Sequence, residues 1–113
     1  MPPRDWRLRV EDILDAADRI EAYIAGLDFG QFQADRKTVD AVIRNLEVIG
    51  EAAGHLSRAQ EAIPCDIPWT DVSGMRNILI HEYFGVDLGI VWQTITVDLP
   101  LLRATLSPLT RQA

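Results

Sequence analysis

Val39-Asp40-Ala41-Val42-Ile43-Arg44-Asn45-Leu46-Glu47-Val48-Ile49-Gly50-Glu51-Ala52-Ala53-Gly54-His55-Leu56 sets apolar side chains at 39, 42, 46, 49, 53 and 56. Steps of three and four residues draw a seam along one face of a helix, whereas a half-buried strand would alternate every second residue. Gly50 and Gly54 stand four apart on this helix, so another backbone is expected to come close there at some cost in helix propensity. The fold is helical from its middle outward.

Upstream, Trp6, Val10, Ile13, Ala17, Ile20, Ile24 and Leu27 form an equally regular seam. Gly26 and Asp28-Phe29-Gly30 read as the stretch that ends it. Downstream, Pro64 and Pro68 bracket a loop from Ile63 to Trp69, and Thr70 or Asp71 can cap a shorter third helix that Gly85 stops. Asp87 caps a fourth segment with its seam at Leu88, Trp92, Ile95, Leu99, Leu102 and Leu106. Pro100 falls inside that seam and predicts a kink near residues 96–100, and Pro108 is read as the end. Three long seams, one short helix and short connections make an all-α bundle of one domain, residues 1–113. Three aromatic-anchored seams exceed what a small monomer must cover, so a homodimer is expected.

Composition excludes several classes. The chain has 113 residues, 48% hydrophobic and 25% charged, which is ordinary globular usage. No apolar run reaches the roughly 18–20 residues of a membrane span, and the start does not lead into a signal-peptide core. Cys65 stands alone, and His55 and His81 lie far apart without a cysteine cluster, so neither a disulfide framework nor a zinc site is expected. A cytoplasmic, soluble protein without cofactor is the expectation. A net charge of −6 argues against broad non-specific nucleic-acid binding, which needs a basic field.

Chemistry concentrates in Met75-Arg76-Asn77-Ile78-Leu79-Ile80-His81-Glu82-Tyr83. On a regular helix Asn77 and His81 would be about 40° apart in projection, Arg76 and Tyr83 about 20°, and Arg76 and His81 about 140°. Arg76 and His81 could therefore act together only along a groove, or across a two-fold axis that duplicates both. Histidine exchanges protons near neutral pH, and arginine holds phosphate oxygens as charge develops on them. Such a pair suits attack of a ribose 2′-hydroxyl on the adjacent phosphate. Spacing alone leaves a second reading open, in which His81 packs in the core and Arg76 caps a carbonyl or pairs with Glu82 or Asp71.

Arg76-Asn77-Ile78-Leu79-Ile80-His81-Glu82-Tyr83 resembles the R-x4-H-x-Y motif of the HepT-like toxins of the HEPN superfamily. Further blocks resemble the family in order: Arg9 to Leu14, Asp35 to Thr38, Ala41 to Ala52, Ile67-Pro68-Trp69, His81 to Asp87, Val91-Trp92 and Asp98-Leu99-Pro100. The resemblance spans roughly residues 8–106.

It implies a HEPN-like bundle of four or five helices, dimeric, with paired motifs facing a shared cleft. It also implies an endoribonuclease toxin of a type VII-like toxin–antitoxin pair, with Arg76 and His81 catalytic and Asn77 supporting. The implied partners are RNA and a minimal nucleotidyltransferase antitoxin that transfers AMP to Tyr83. The alternatives are a non-catalytic HEPN module that binds a nucleotide or regulates a nucleotidyltransferase, and a purely structural helical dimer.

Arg36, Lys37 and Arg44 could extend an RNA-binding cleft or simply solvate the surface. Arg44, Glu47 and Glu51 have salt-bridge spacing, which favours a solvated face over acid–base work. Trp6, Trp69 and Trp92 read as core or interface anchors. His55 has no partner at a useful spacing and receives no role.

Overall fold

The computed structural model describes residues 5–59, 63 and 87–110. Its elements are α1 (Trp6–Ile24), α2 (Phe29–Ala34), α3 (Arg36–Arg58), α4 (Leu88–Gln93), a π-helical turn (Thr94–Asp98) and α5 (Leu99–Thr110). The described residues contain no strand.

The first four helices each begin where a short acidic side chain satisfies free backbone donors. Asp5 accepts from the Arg7 N–H at 2.9 Å, and Asp87 accepts from Gly89 at 2.8 Å and Ile90 at 3.3 Å. At the start of α3, Thr38 donates its hydroxyl to Asp35 at 2.8 Å and its backbone N–H at 3.2 Å. These two bonds hold the Asp35 carboxyl below the usual carboxylate range. The α1 helix gives way at Ala25, and Gly26 takes φ +79°, the left-handed region open to glycine, as the chain turns.

The seams read from spacing form the core. Val10, Ile13, Ala17 and Ile20 of α1 are buried against Val39, Val42, Leu46, Ile49, Ala53 and Leu56 of α3, with Ile95, Leu99 and Leu106 closing the other side. Leu14 and Ala16 are also buried, because α1 packs against α5 as well as α3 and needs a wider apolar face than one seam. Ile63 joins the same core. Asn45 is the buried polar side chain among the described residues, and its Nδ2 donates to the Ala41 carbonyl one turn back at 2.9 Å.

Three expectations need correction. Asp28-Phe29-Gly30 does more than end α1: it opens α2. The Asp28 carboxylate accepts from the Gln31 N–H at 2.8 Å, and Gln31 Oε1 accepts from the Asp28 N–H at 3.0 Å, a reciprocal capping box. Only Phe32 of this helix is buried, so six residues carry too little periodicity to announce a helix.

Pro108 does not end the last helix, which runs to Thr110. Its ring removes one backbone donor near the end, while Leu106 and Leu109 on either side pack on the core and hold the final turn down. At Gly54 the close backbone expected there is not found among the described residues, where a Cβ would meet nothing within 4 Å.

The irregularity expected around Pro100 is present as the π turn. The Leu99 N–H reaches back to the Thr94 carbonyl, one residue further than in an α-helix. Thr96 Oγ1 donates to the Trp92 carbonyl at 2.6 Å and Thr94 Oγ1 to the Ile90 carbonyl at 2.8 Å, giving carbonyls beside the shifted ladder a side-chain donor. Ahead of the turn, Trp92 packs against Phe32 and Phe29, with ring centroids 5.1 and 6.1 Å apart.

Candidate active site

Arg76, Asn77, His81 and Tyr83 lie outside the described residues, as do Trp69, Cys65 and the expected third helix. What the structure supplies is the frame on both sides of that segment. Before it, α3 delivers the chain to Arg58, and Ile63 is buried in the core. After it, Asp87 starts α4 with two backbone donors on its carboxylate.

The basic residues at the start of α3 are on the page. Arg36, Lys37 and Arg44 are all exposed. Arg36 Nε pairs with Asp40 at 3.3 Å, and Arg44 NH1 pairs with Glu47 at 3.6 Å. Both are own-helix pairs in water, worth a few tenths of a kcal/mol by about the usual i,i+4 measure. The Arg44–Glu47 contact matches the salt-bridge spacing read from the sequence. Trp6 and Trp92 are partly buried and pack on the core, as anchors do.

Sequence reasoning gave His55 no role, yet the structure gives it two cationic neighbours. Arg58 NH2 lies 3.0 Å from His55 Nδ1. A guanidinium can only donate, so the ring accepts at Nδ1 and carries its own proton on Nε2. Partial burial pushes the His55 pKa down, and the charges of Arg9 and Arg58 push it further, against a smaller opposing effect of Glu51. The charge of Arg9, early in α1, acts on His55, in the last turn of α3. The α1 and α3 helices pack on each other and are joined by the short connection through α2, so they run antiparallel. The contact corrects the expectation that His55 has no partner at a useful spacing: Arg58 stands at i,i+3 in the last turn, where cations complement the helix dipole. Arg9 could be placed only by the packing of α1 on α3.

Among the described residues no group of three or more His, Cys, Asp or Glu is arranged to hold a metal ion, and no helix is long and apolar enough to cross a membrane.

The all-helical architecture of the described residues is consistent with a HEPN-like helical bundle, the class to which its family match points. Residues 13–109 match the family model described as ribonuclease HepT-like. The chain belongs to the HepT-like ribonuclease family. It is 42% identical over 94 residues to a Thermococcus cleftensis protein named "Probable ribonuclease HepT", covering 83% of this chain and 86% of that one. It is 36% identical over 104 residues to an RNase-named protein of Methanocaldococcus jannaschii, covering 91% and 94%. An RNase-named protein of Caldanaerobacter subterraneus is 38% identical over 93 residues, covering 82% and 83%. No solved structure matches the chain.

Proposed function

We propose that this protein is a metal-independent endoribonuclease, the toxin of a pair whose antitoxin is a minimal nucleotidyltransferase. The observation that carries the reading is the family match over residues 13–109 in a chain that keeps Arg76, His81 and Tyr83 at R-x4-H-x-Y spacing. The RNase-named relatives support an RNA substrate.

His81 takes the proton of a ribose 2′-hydroxyl as its oxygen attacks the adjacent phosphorus. The P–O5′ bond breaks, the leaving oxygen takes a proton from the imidazolium or water, and a 2′,3′-cyclic phosphate results. Arg76 holds the non-bridging oxygens as negative charge builds on them. Asn77 orients the imidazole or binds an oxygen. A homodimer in the cytoplasm, with both motifs at one cleft, completes the site, and Arg36, Lys37 and Arg44 lie on an exposed face that RNA can reach.

Tyr83 is the acceptor for AMP. The added phosphate occupies the natural ligand site of Arg76 and the adenosine blocks the cleft, so modification silences the enzyme without unfolding it.

The test is incubation of the purified chain with RNA, with and without EDTA. Products ending in a 2′,3′-cyclic phosphate, unaffected by EDTA, are expected. RNA that is bound but left intact would instead make the chain a binding module. Incubation with the nucleotidyltransferase and ATP should add the mass of AMP, and a gain that persists in Tyr83→Phe would place the modification elsewhere.

A further inference from the structure

The last helix has two apolar faces. Leu99, Leu102, Leu106 and Leu109 lie in or against the core. Val97, in the π turn, and Leu101, Ala104 and Pro108 of α5 repeat the same three-and-four spacing on the opposite side. On a regular helix these four fall within an arc of about 60°. All four are exposed, Val97 by 51% and Leu101 by 66%. A helix whose one task is to cover its own core is polar along the outer face.

The charges nearby are turned aside. Asp98 and Arg103 are the charged residues between 97 and 110. Arg103 reaches across to α1, where its guanidinium pairs with Asp18 at 2.9 Å and with Glu21. Asp98 stands at the rim, about 100° round from Val97. Thr105 Oγ1, beside the seam, donates to the Leu101 carbonyl at 3.0 Å and so has a partner without water. Other outward faces differ. Leu8 and Tyr23 of α1 are exposed too, but exposed Asp15 and Arg19 stand between them, and α3 shows Arg36, Asp40, Arg44 and Glu51 to solvent. Two copies of a chain of net charge −6 repel, so the face a second copy covers most readily is one without charge.

The seam is also self-complementary. Its steps of four, three and four read the same in either direction, so an antiparallel copy related by a two-fold axis lays the pattern on itself. We propose that Val97, Leu101, Ala104 and Pro108 form a homotypic docking face, on which a second copy of this chain seats its own last helix antiparallel. Leu101 then faces Ala104 of the partner subunit, and Val97 faces Pro108 of the partner subunit. The longest side chain of the seam meets the shortest, which lets the helices approach to the usual distance of about 8–10 Å. The proposal gives the homodimer of the ribonuclease reading its surface and register, and rests on that reading for the number of chains alone.

The experiment combines light scattering with cross-linking of the full-length protein at micromolar concentration. Wild type should give twice the chain mass of 12.7 kDa, and Leu101→Asp, which sets a carboxylate in each copy of the seam, should give the mass of one chain. Leu8→Asp, the same change at an exposed position of α1, should stay dimeric. The register is read in a Cys65→Ser background. Val97→Cys and Pro108→Cys chains, mixed, exchanged and treated with a short bis-maleimide, should link to one another. Val97→Cys alone should not, because the antiparallel pairing holds its two thiols about 16 Å apart by helical rise. Should Leu101→Asp fail to fold, as judged by its melting curve, the pattern of cross-links decides alone.

A monomeric wild type would overturn the proposal and leave the face to a partner of another kind. A dimer that persists in folded Leu101→Asp would overturn it by placing the interface elsewhere, as would a dimer lost equally in Leu8→Asp. Linking of Val97→Cys to itself would overturn the antiparallel register. None of these readouts uses cleavage, so a chain that pairs in this way without cutting RNA would remove the ribonuclease reading and leave the docking face standing.

Discussion

At the scale of the residue, His55 is the most informative group the structure describes. Burial first, then Arg9 and Arg58, lower its pKa, while Glu51 works weakly against them. Its proton is therefore bound less tightly in the folded chain than in the unfolded one. Its contribution to stability is full above the ordinary histidine value of about 6.5 and is lost as pH falls through the window below it. An NMR titration of the two histidine rings should show His55 with a midpoint below the ordinary value, moving up in the double variant Arg9→Gln, Arg58→Gln. A midpoint at or above 6.5 in the free protein would contradict the electrostatics described.

Arg76 and His81 belong to the same scale. Either change to alanine should cut the cleavage rate by roughly 10²–10⁴-fold, the usual worth of a positioned acid–base or charge-stabilising group, with folding preserved. Cleavage at the wild-type rate by both variants would remove them from the chemistry. The motif could be read because its residues are close in sequence. The influence of Arg9 on His55 could not, since α1 must pack on α3 before the two interact.

At the scale of the element, the apolar seams and the helix start at Asp87 were legible because both are local. Asp87 caps α4, and its seam from Leu88 to Leu106 lies in or against the core. The proline at 100 announced an irregularity, but not its form. A kink and a π turn are alternative ways to accommodate a missing donor, and threonine hydroxyls beside the turn help decide between them. The short α2 was missed because its evidence is a capping box and one buried phenylalanine. That box is testable. Asp28→Ala removes the acceptor for the Gln31 N–H and should cost about 1 kcal/mol in chemical denaturation, the typical worth of an N-cap. Gln31→Ala should cost less, and the double variant less than the sum, because each side chain supports the other. Strict additivity would show that the reciprocal bonds do not act as a unit. The ring packing of Phe32 on Trp92 makes α2 more than a linker: it fastens the α1–α3 connection to the start of the last helical rod.

At the scale of the whole molecule, the question is whether one chain can hold a complete site. Arg76 and His81 would be separated by about 140° on a regular helix, too far to converge on one phosphate without a second wall. A two-fold partner would supply that wall if it brought a second Arg76 and a second His81 to the axis. The last rod leaves Ile90, Val97 and Leu101 more than half exposed, apolar surface of the kind that assembly removes from water. Light scattering should therefore give twice the chain mass of 12.7 kDa. A mass at the monomer value at micromolar concentration would end the shared-cleft reading.

A sharper test uses the two inactive variants together. If each site takes Arg76 from one protomer and His81 from the other, an exchanged mixture of Arg76→Ala and His81→Ala contains heterodimers with one doubly damaged site and one intact site. Random exchange makes about half of all dimers mixed, so activity should return to about a quarter of wild type. If both groups act within one chain, every site in the mixture remains damaged and no activity returns. Recovery therefore reports the geometry of the site directly, and its absence from a mixture shown by mass to contain heterodimers would confine Arg76 and His81 to a single protomer.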